Sequence, residues 1–134
     1  MKRVIIESPY SSGLKPDVHE VVERNLRYLR ACLRDSLLRG EAPYASHGLY
    51  TQPGVFKDDV PEERKRGMEA GFAYVDIADI SAVYADLGIT PGMLAGIERA
   101  RSRGILVDRL DVDLESPGPG HEYHCPLWRK PSNV

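Results

Sequence analysis

Arg3-Val4-Ile5-Ile6-Glu7-Ser8-Pro9-Tyr10-Ser11-Ser12-Gly13 decides the fold. Its core, Val4-Ile5-Ile6, is apolar at successive positions, the pattern of a short strand buried on both faces. Ser8 to Gly13 then stops the strand with turn residues. Outward from it, Pro16 suits the first position of a long helix. In that helix Val18, Val22, Leu26, Leu29, Leu33 and Leu37 recur at steps of three and four, an apolar stripe expected to face a core, and Gly40 ends it. The arginines 27, 30 and 34 read as its solvated side. A second short strand is expected over Pro43 to Ser46, followed by a loop, His47 to Gly54. Acidic residues and Pro61 start a second helix near Asp58, which runs to about Ala78. Ile80 to Ala85 is the third strand. Thr90-Pro91-Gly92 opens a third helix closed by Gly104, and Ile105-Leu106-Val107 begins a fourth strand. Strand and helix alternating four times imply right-handed crossovers and a mainly parallel sheet covered on both sides. The expected class is α/β, a flavodoxin-like or Rossmann-like three-layer sandwich with four to five strands.

Composition limits the function classes. The chain has 134 residues, 42% hydrophobic and 28% charged, with a formal charge of -2. That is the balance of one globular domain. The acidic excess argues against a broad nucleic-acid surface. No apolar run approaches the roughly 20 residues of a membrane helix. Two cysteines, Cys32 and Cys125, suit a reducing compartment, and a cytoplasmic protein is expected. The domain should occupy residues 1–114. Residues 115–134, entered through Glu115-Ser116-Pro117-Gly118-Pro119-Gly120, read as an extended arm. Trp128, Arg129 and Lys130 on it could cover the cleft of a neighbouring subunit. His121, His124 and Cys125 lack the second cysteine pair of a zinc site, so neither metal nor other cofactor is expected.

In open α/β sheets ligands bind outside the carboxyl ends of the strands. Three loops leave strands there: residues 8–13, 47–54 and 86–92. Tyr10 could stack on a base, with Ser11 and Ser12 holding a sugar or phosphate. His47, Tyr50 and Gln52 offer donors and acceptors for a base edge. Gly88, Thr90, Gly92 and Met93 surround a helix start, where backbone N–H groups suit a phosphate or sugar hydroxyl. Each group also has an ordinary explanation: a Ser-Gly turn carrying a surface tyrosine, a hydrated loop, a tight turn. Of the acidic residues Glu7, Glu69, Asp79, Asp86 and Glu98, Asp86 ends a buried strand beside the glycine loop and is the first choice for acid–base work. Glu69 is the second, if its helix face points inward. Asp79 reads as a cap on the helix-to-strand turn, and Glu98 as solvent-facing.

Four segments carry a resemblance: Val4-Ile5-Ile6-Glu7-Ser8-Pro9-Tyr10, Ala45 to Gln52, Ala78-Asp79-Ile80, and Asp86-Leu87-Gly88-Ile89-Thr90-Pro91-Gly92-Met93. Over residues 4 to 110 the chain resembles phage- and bacteria-encoded small domains related to nucleoside 2-deoxyribosyltransferases and deoxynucleoside-monophosphate N-hydrolases. The resemblance implies a flavodoxin-like fold, a homodimer or higher homo-oligomer, and a nucleoside or nucleotide ligand. Those enzymes carry a catalytic glutamate in a Gly-Tyr-Glu-Leu-Gly pattern. The matching stretch here is Gly92-Met93-Leu94-Ala95-Gly96, with Leu94 in the glutamate's place, and their upstream aspartate falls near Gly71.

Three readings stay open at this point. An enzyme would break or exchange an N-glycosidic bond, a hydrolase or transferase with Asp86 and Glu69 as acid–base groups. A catalytically inactive binder would sequester a nucleotide or nucleotide-derived signal, as Leu94 suggests. An interaction domain would take no small ligand.

Overall fold

The structure, a computed structural model, describes residues 1–11 and 19–112. Ser12, Gly13, Pro16, Val18 and the whole arm, with Cys125 and the domain boundary at 114, lie outside the described residues. The elements follow in the order β1 (Arg3–Glu7), α1 (His19–Leu38), β2 (Ala42–Tyr44), α2 (Ser46–Leu49), α3 (Pro61–Val75), β3 (Ile80–Tyr84), α4 (Pro91–Ser102) and β4 (Leu106–Leu110). All four strands are parallel, in the order β2-β1-β3-β4. The expected α/β architecture is what forms, its central strands apolar because helices cover both faces.

The two faces of β1 follow the strand's period of two. Val4 and Ile6 pack with Tyr28, Leu29 and Cys32 of α1 and with Ala82 and Tyr84 of β3. Ile5 points the other way, toward Val75 of α3 and Ala100 of α4. Glu7, two residues after Ile5, shares that second face, where no carboxylate is needed for packing.

Helix α1 buries a stripe different from the expected one. Asn25, Tyr28, Leu29, Ala31, Cys32 and Ser36 are its buried residues, and Leu37 is 61% exposed. The stripe is rotated because its polar members have partners. Asn25 donates to the Tyr10 carbonyl at 2.7 Å, Tyr28 to Asp86 at 2.5 Å and Ser36 to Glu41 at 2.8 Å. A buried polar group that keeps its hydrogen bond competes on equal terms with leucine for a core position.

Other boundaries move by a few residues. β2 ends at Tyr44, α3 ends at Val75, and β4 runs to Leu110. The expected loop at 47–54 begins as a helical turn, α2, with Leu49 N–H bonded to the Ala45 carbonyl at 3.1 Å. Gly48 permits this, because a Cβ there would strike Leu29 of α1. Gly71 does the same for α3, since its Cβ would come within 2.7 Å of Ser46 Oγ. Asp79 is not a helix cap. It accepts the Arg3 backbone N–H at 2.8 Å and ties the start of β1 to β3.

At the far ends of α3 and α4 an exposed cluster joins the two helices. Asp76 accepts from Arg99 at 3.1 and 2.9 Å and lies 3.2 Å from Arg103. The Arg99 hydrogen bonds, then the charges of Arg103 and Arg99, hold the Asp76 carboxyl below its usual range.

On β3, Ser81 is buried and its hydroxyl has no hydrogen-bond partner among the described residues. An unsatisfied buried hydroxyl carries its full desolvation cost, so Ser81→Ala is expected to raise stability by about 1 kcal/mol. Urea unfolding of the variant measures this; a loss of stability would contradict it.

Candidate functional site

The carboxyl ends of β1 and β2, together with α2, α3 and the start of α4, enclose a cleft of about 140 Å³. It lies at the carboxyl edge of the sheet beside β1, whose connection leads to β2 on one side, while that of the neighbouring β3 leads to β4 on the other. That is the switch point at which open α/β sheets take ligands.

Three side chains form its inner polar end. Glu7 projects from the last residue of β1, and burial alone pushes its carboxyl up to about 8. Among the described residues no hydrogen bond or ion pair offsets that burial, so the neutral acid is the form the fold favours. Ser8 follows, buried, with its Oγ 2.7 Å from His47 Nε2. Burial lowers the His47 ring to about 4, so at neutral pH it is an uncharged imidazole. Thr51 Oγ1 donates to the His47 carbonyl at 2.6 Å and fixes the turn that carries the ring. The environment thus inverts the usual order of titration: between about pH 4 and 8 both Glu7 and His47 are neutral.

The wall is aromatic, built from Tyr44, Tyr50, Phe56 and Phe72, with Tyr74 behind Tyr44 and outside the lining. Tyr44 stacks on Tyr74 with centroids 4.3 Å apart and meets Tyr50 edge-on, its hydroxyl donating to that of Tyr50 at 2.5 Å. The rim carries charge. Arg64 donates to Asp58 at 2.8 Å, and its guanidinium passes over Gly92 in the first turn of α4. That turn is held by Thr90, whose Oγ1 accepts the Met93 N–H at 3.3 Å, with Pro91 at the first helical position.

Of the residues expected from sequence, Tyr10, Ser11, His47, Tyr50, Thr90, Gly92 and Met93 line this cleft. Ser12 lies outside the described residues. Four others stand elsewhere. Asp86 is absent from the lining: its Oδ1 accepts from the Tyr28 hydroxyl and from the Val112 N–H at 2.9 Å, and its own N–H donates to the Tyr28 oxygen at 3.1 Å. It braces α1 and the chain after β4 against the end of β3. Glu69 is exposed on α3, its helix face turned outward. Gln52 bonds back to the Leu49 carbonyl at 3.0 Å. Gly88 makes a turn with φ of +87°, as only glycine does freely. Leu94 is 49% exposed and also outside the lining.

The residues that reading by sequence underweighted are Glu7, Ser8, Arg64 and Gly96. For Glu7 the signal was present: a carboxylate two residues beyond Ile5 on a strand with no wet face. Among the described residues no three His, Cys, Asp or Glu side chains gather as metal ligands, and no helix is long and apolar enough to cross a membrane.

The two displaced titrations set a pH dependence of stability. Folded Glu7 keeps its proton to about pH 8, whereas an unfolded glutamate loses it near 4.5, so stability falls as pH rises across that window. Folded His47 stays neutral down to about 4, whereas an unfolded histidine protonates near 6.5, so stability falls as pH drops across that one. The slopes oppose one another where the windows overlap. The melting temperature is therefore expected to be level from about pH 4.5 to 6.5 and to decline from 6.5 to 8. Glu7→Gln should remove the decline, as a calorimetric pH series would show.

A comparison with curated proteins finds no match. Residues 2–110 match the family model described as a domain of unknown function, DUF7768, and the chain belongs to that family.

Proposed function

We propose that the protein binds a nucleoside or nucleotide in this cleft and cleaves or exchanges its N-glycosidic bond, with Glu7 as the acid. One observation carries the reading: a carboxyl enclosed at the inner end of an aromatic-walled cleft, unpaired and raised to about 8. A base leaving an anomeric carbon needs a proton on its ring nitrogen, and a carboxyl that is still protonated at neutral pH can give it. The bond between the anomeric carbon and the base nitrogen breaks as the proton passes from Glu7 to the base; water or an acceptor base then bonds to the anomeric carbon and returns its proton to the Glu7 carboxylate. The hydroxyls of Ser8 and Tyr50 and the neutral ring of His47 suit sugar and base hydrogen bonds. Tyr44, Phe56 and Phe72 give an apolar flank, and Arg64 at the rim suits an anionic end.

Asp86 and Glu69 have no part in this reading, because neither reaches the cleft. That same absence favours a second reading, a binder without turnover, in which Glu7 donates a hydrogen bond to a ligand that is never cleaved. Incubation with a panel of nucleosides and nucleotides separates the two. Free base detected by chromatography supports catalysis, a melting shift without base supports the binder, and neither result overturns both. A homodimer or higher assembly in the cytoplasm belongs to the same proposal. Its support is the large apolar side chains left exposed, Leu49, Tyr74 and Leu106 among them, and light scattering tests it.

Leu94→Glu is informative because the residue faces water. It is expected to leave stability within about 0.5 kcal/mol and to add no base release. A gain of turnover would return the catalytic position to residue 94.

A further inference from the structure

Helix α4 crosses the end of β1 at Gly96, which is buried. A Cβ built on Gly96 would fall inside the carboxyl group of Glu7: its carboxyl carbon lies 2.6 Å from that point, Oε1 lies 2.9 Å away, and Oε2 is nearer still. No side chain at 96 can coexist with Glu7 in this position. Glycine in a helix interior lowers stability relative to alanine, so its presence here needs a local reason. The carboxyl supplies one.

We infer that Gly96 is the positioning residue of the site: α4 leaves a gap one side chain wide, and the strand fills it with the carboxyl that faces the cleft. The overlap has a further consequence. Two carbon–carbon bonds of about 1.5 Å at a tetrahedral angle span about 2.5 Å, the distance from the Cβ of a glutamate to its own carboxyl carbon. A glutamate growing from position 96 therefore has the reach to bring its carboxyl to the place Glu7 now fills. The same spot can be served from the strand or from the helix, but not from both. This inference rests on the reading that Glu7 is the reactive group, and it adds which residue places it.

Two measurements test it, one independent of any substrate. In a thermal double-mutant cycle, Gly96→Ala is expected to lower the melting temperature by roughly 5–15 °C, because overpacking a filled site is costly. In the Glu7→Ala background the same change should cost little or be favourable, since the collision is gone. Additive effects would overturn the inference whether or not the protein turns over nucleosides. The second measurement moves the carboxyl. An infrared band of the protonated carboxyl is expected to titrate near pH 8 in the natural chain and to be missing from Glu7→Ala, and Glu7→Ala/Gly96→Glu should regain it. A relocated carboxyl that titrates like a surface glutamate sinks the claim. Should that variant fail to fold, the thermal cycle alone decides the inference. Where base release is measurable, Gly96→Ala should lose it at least about 100-fold, and the relocated glutamate should restore it to within about tenfold.

Discussion

Glu7→Gln is expected to reduce base release by a factor of about 10² to 10⁴, the range general acid catalysis supplies. The substitution keeps the shape of the side chain and a hydrogen-bond donor, so ligand-induced thermal shifts should survive within a few degrees. Release by the natural chain should fall as pH rises through about 8, because the carboxyl there gives up the proton it is meant to donate. The variant's residual activity should lack that limb. Steady-state rates from pH 5 to 9 provide the comparison. A glutamine variant within about tenfold of the natural chain would remove Glu7 from the mechanism, and a lost thermal shift would assign it to binding.

Asp86→Ala should act on stability. Asp86 receives hydrogen bonds from the buried Tyr28 hydroxyl and from the Val112 backbone, and its own N–H returns one to Tyr28. Loss of charge-assisted bonds at a part-buried site costs about 2–4 kcal/mol. Burial, with Asp86 accepting its proton, also pushes the Tyr28 phenol far up, so the tyrosine stays a donor at every physiological pH. For a domain of this size the loss corresponds to a fall in melting temperature of roughly 5–20 °C. The folded fraction should nevertheless bind ligand as before, since Asp86 does not line the cleft. Loss of binding with stability intact would restore Asp86 as a site residue. Tyr28→Phe provides a milder version and should be about half as damaging.

The fold was legible because its strands are short apolar runs separated by helices with clear starts, Pro61 and Thr90-Pro91 among them. Those signals are local and survive without knowledge of tertiary contacts. The α1 stripe was misread for the opposite reason. Asn25 and Ser36 are buried on account of partners that lie 15 and 5 residues away, and Tyr28 on account of one 58 residues away, and no periodicity reports such bonds. The cleft was half legible. Tyr10, Ser11, His47 and Thr90 followed from the rule that ligands meet the carboxyl ends of strands. The choice of acid did not, because proximity to a glycine loop says nothing about which way a side chain points. Asp86 follows β3 by two residues, where Glu7 is the last residue of β1, and Tyr28 and the chain after β4 draw Asp86 away. Position 96 was invisible for a related reason. A glycine declares only that something is near it, and the neighbour is known only once α4 has been laid across β1.

The arginine pair gripping Asp76 has a mechanical meaning. The two helices it joins are the jaws of the opening, and they are riveted where they are farthest from Arg64 and Gly92. A widening that kept these pairs would be angular, with its fulcrum at the rivet and its larger travel at the lip. A visitor would then enter by a swing of the outer ends with the spacing at the hinge end preserved. Because the rivet is made of water-exposed charges, added salt should slacken it, and the ease of entry would then rise with ionic strength while the chemistry beneath keeps its geometry.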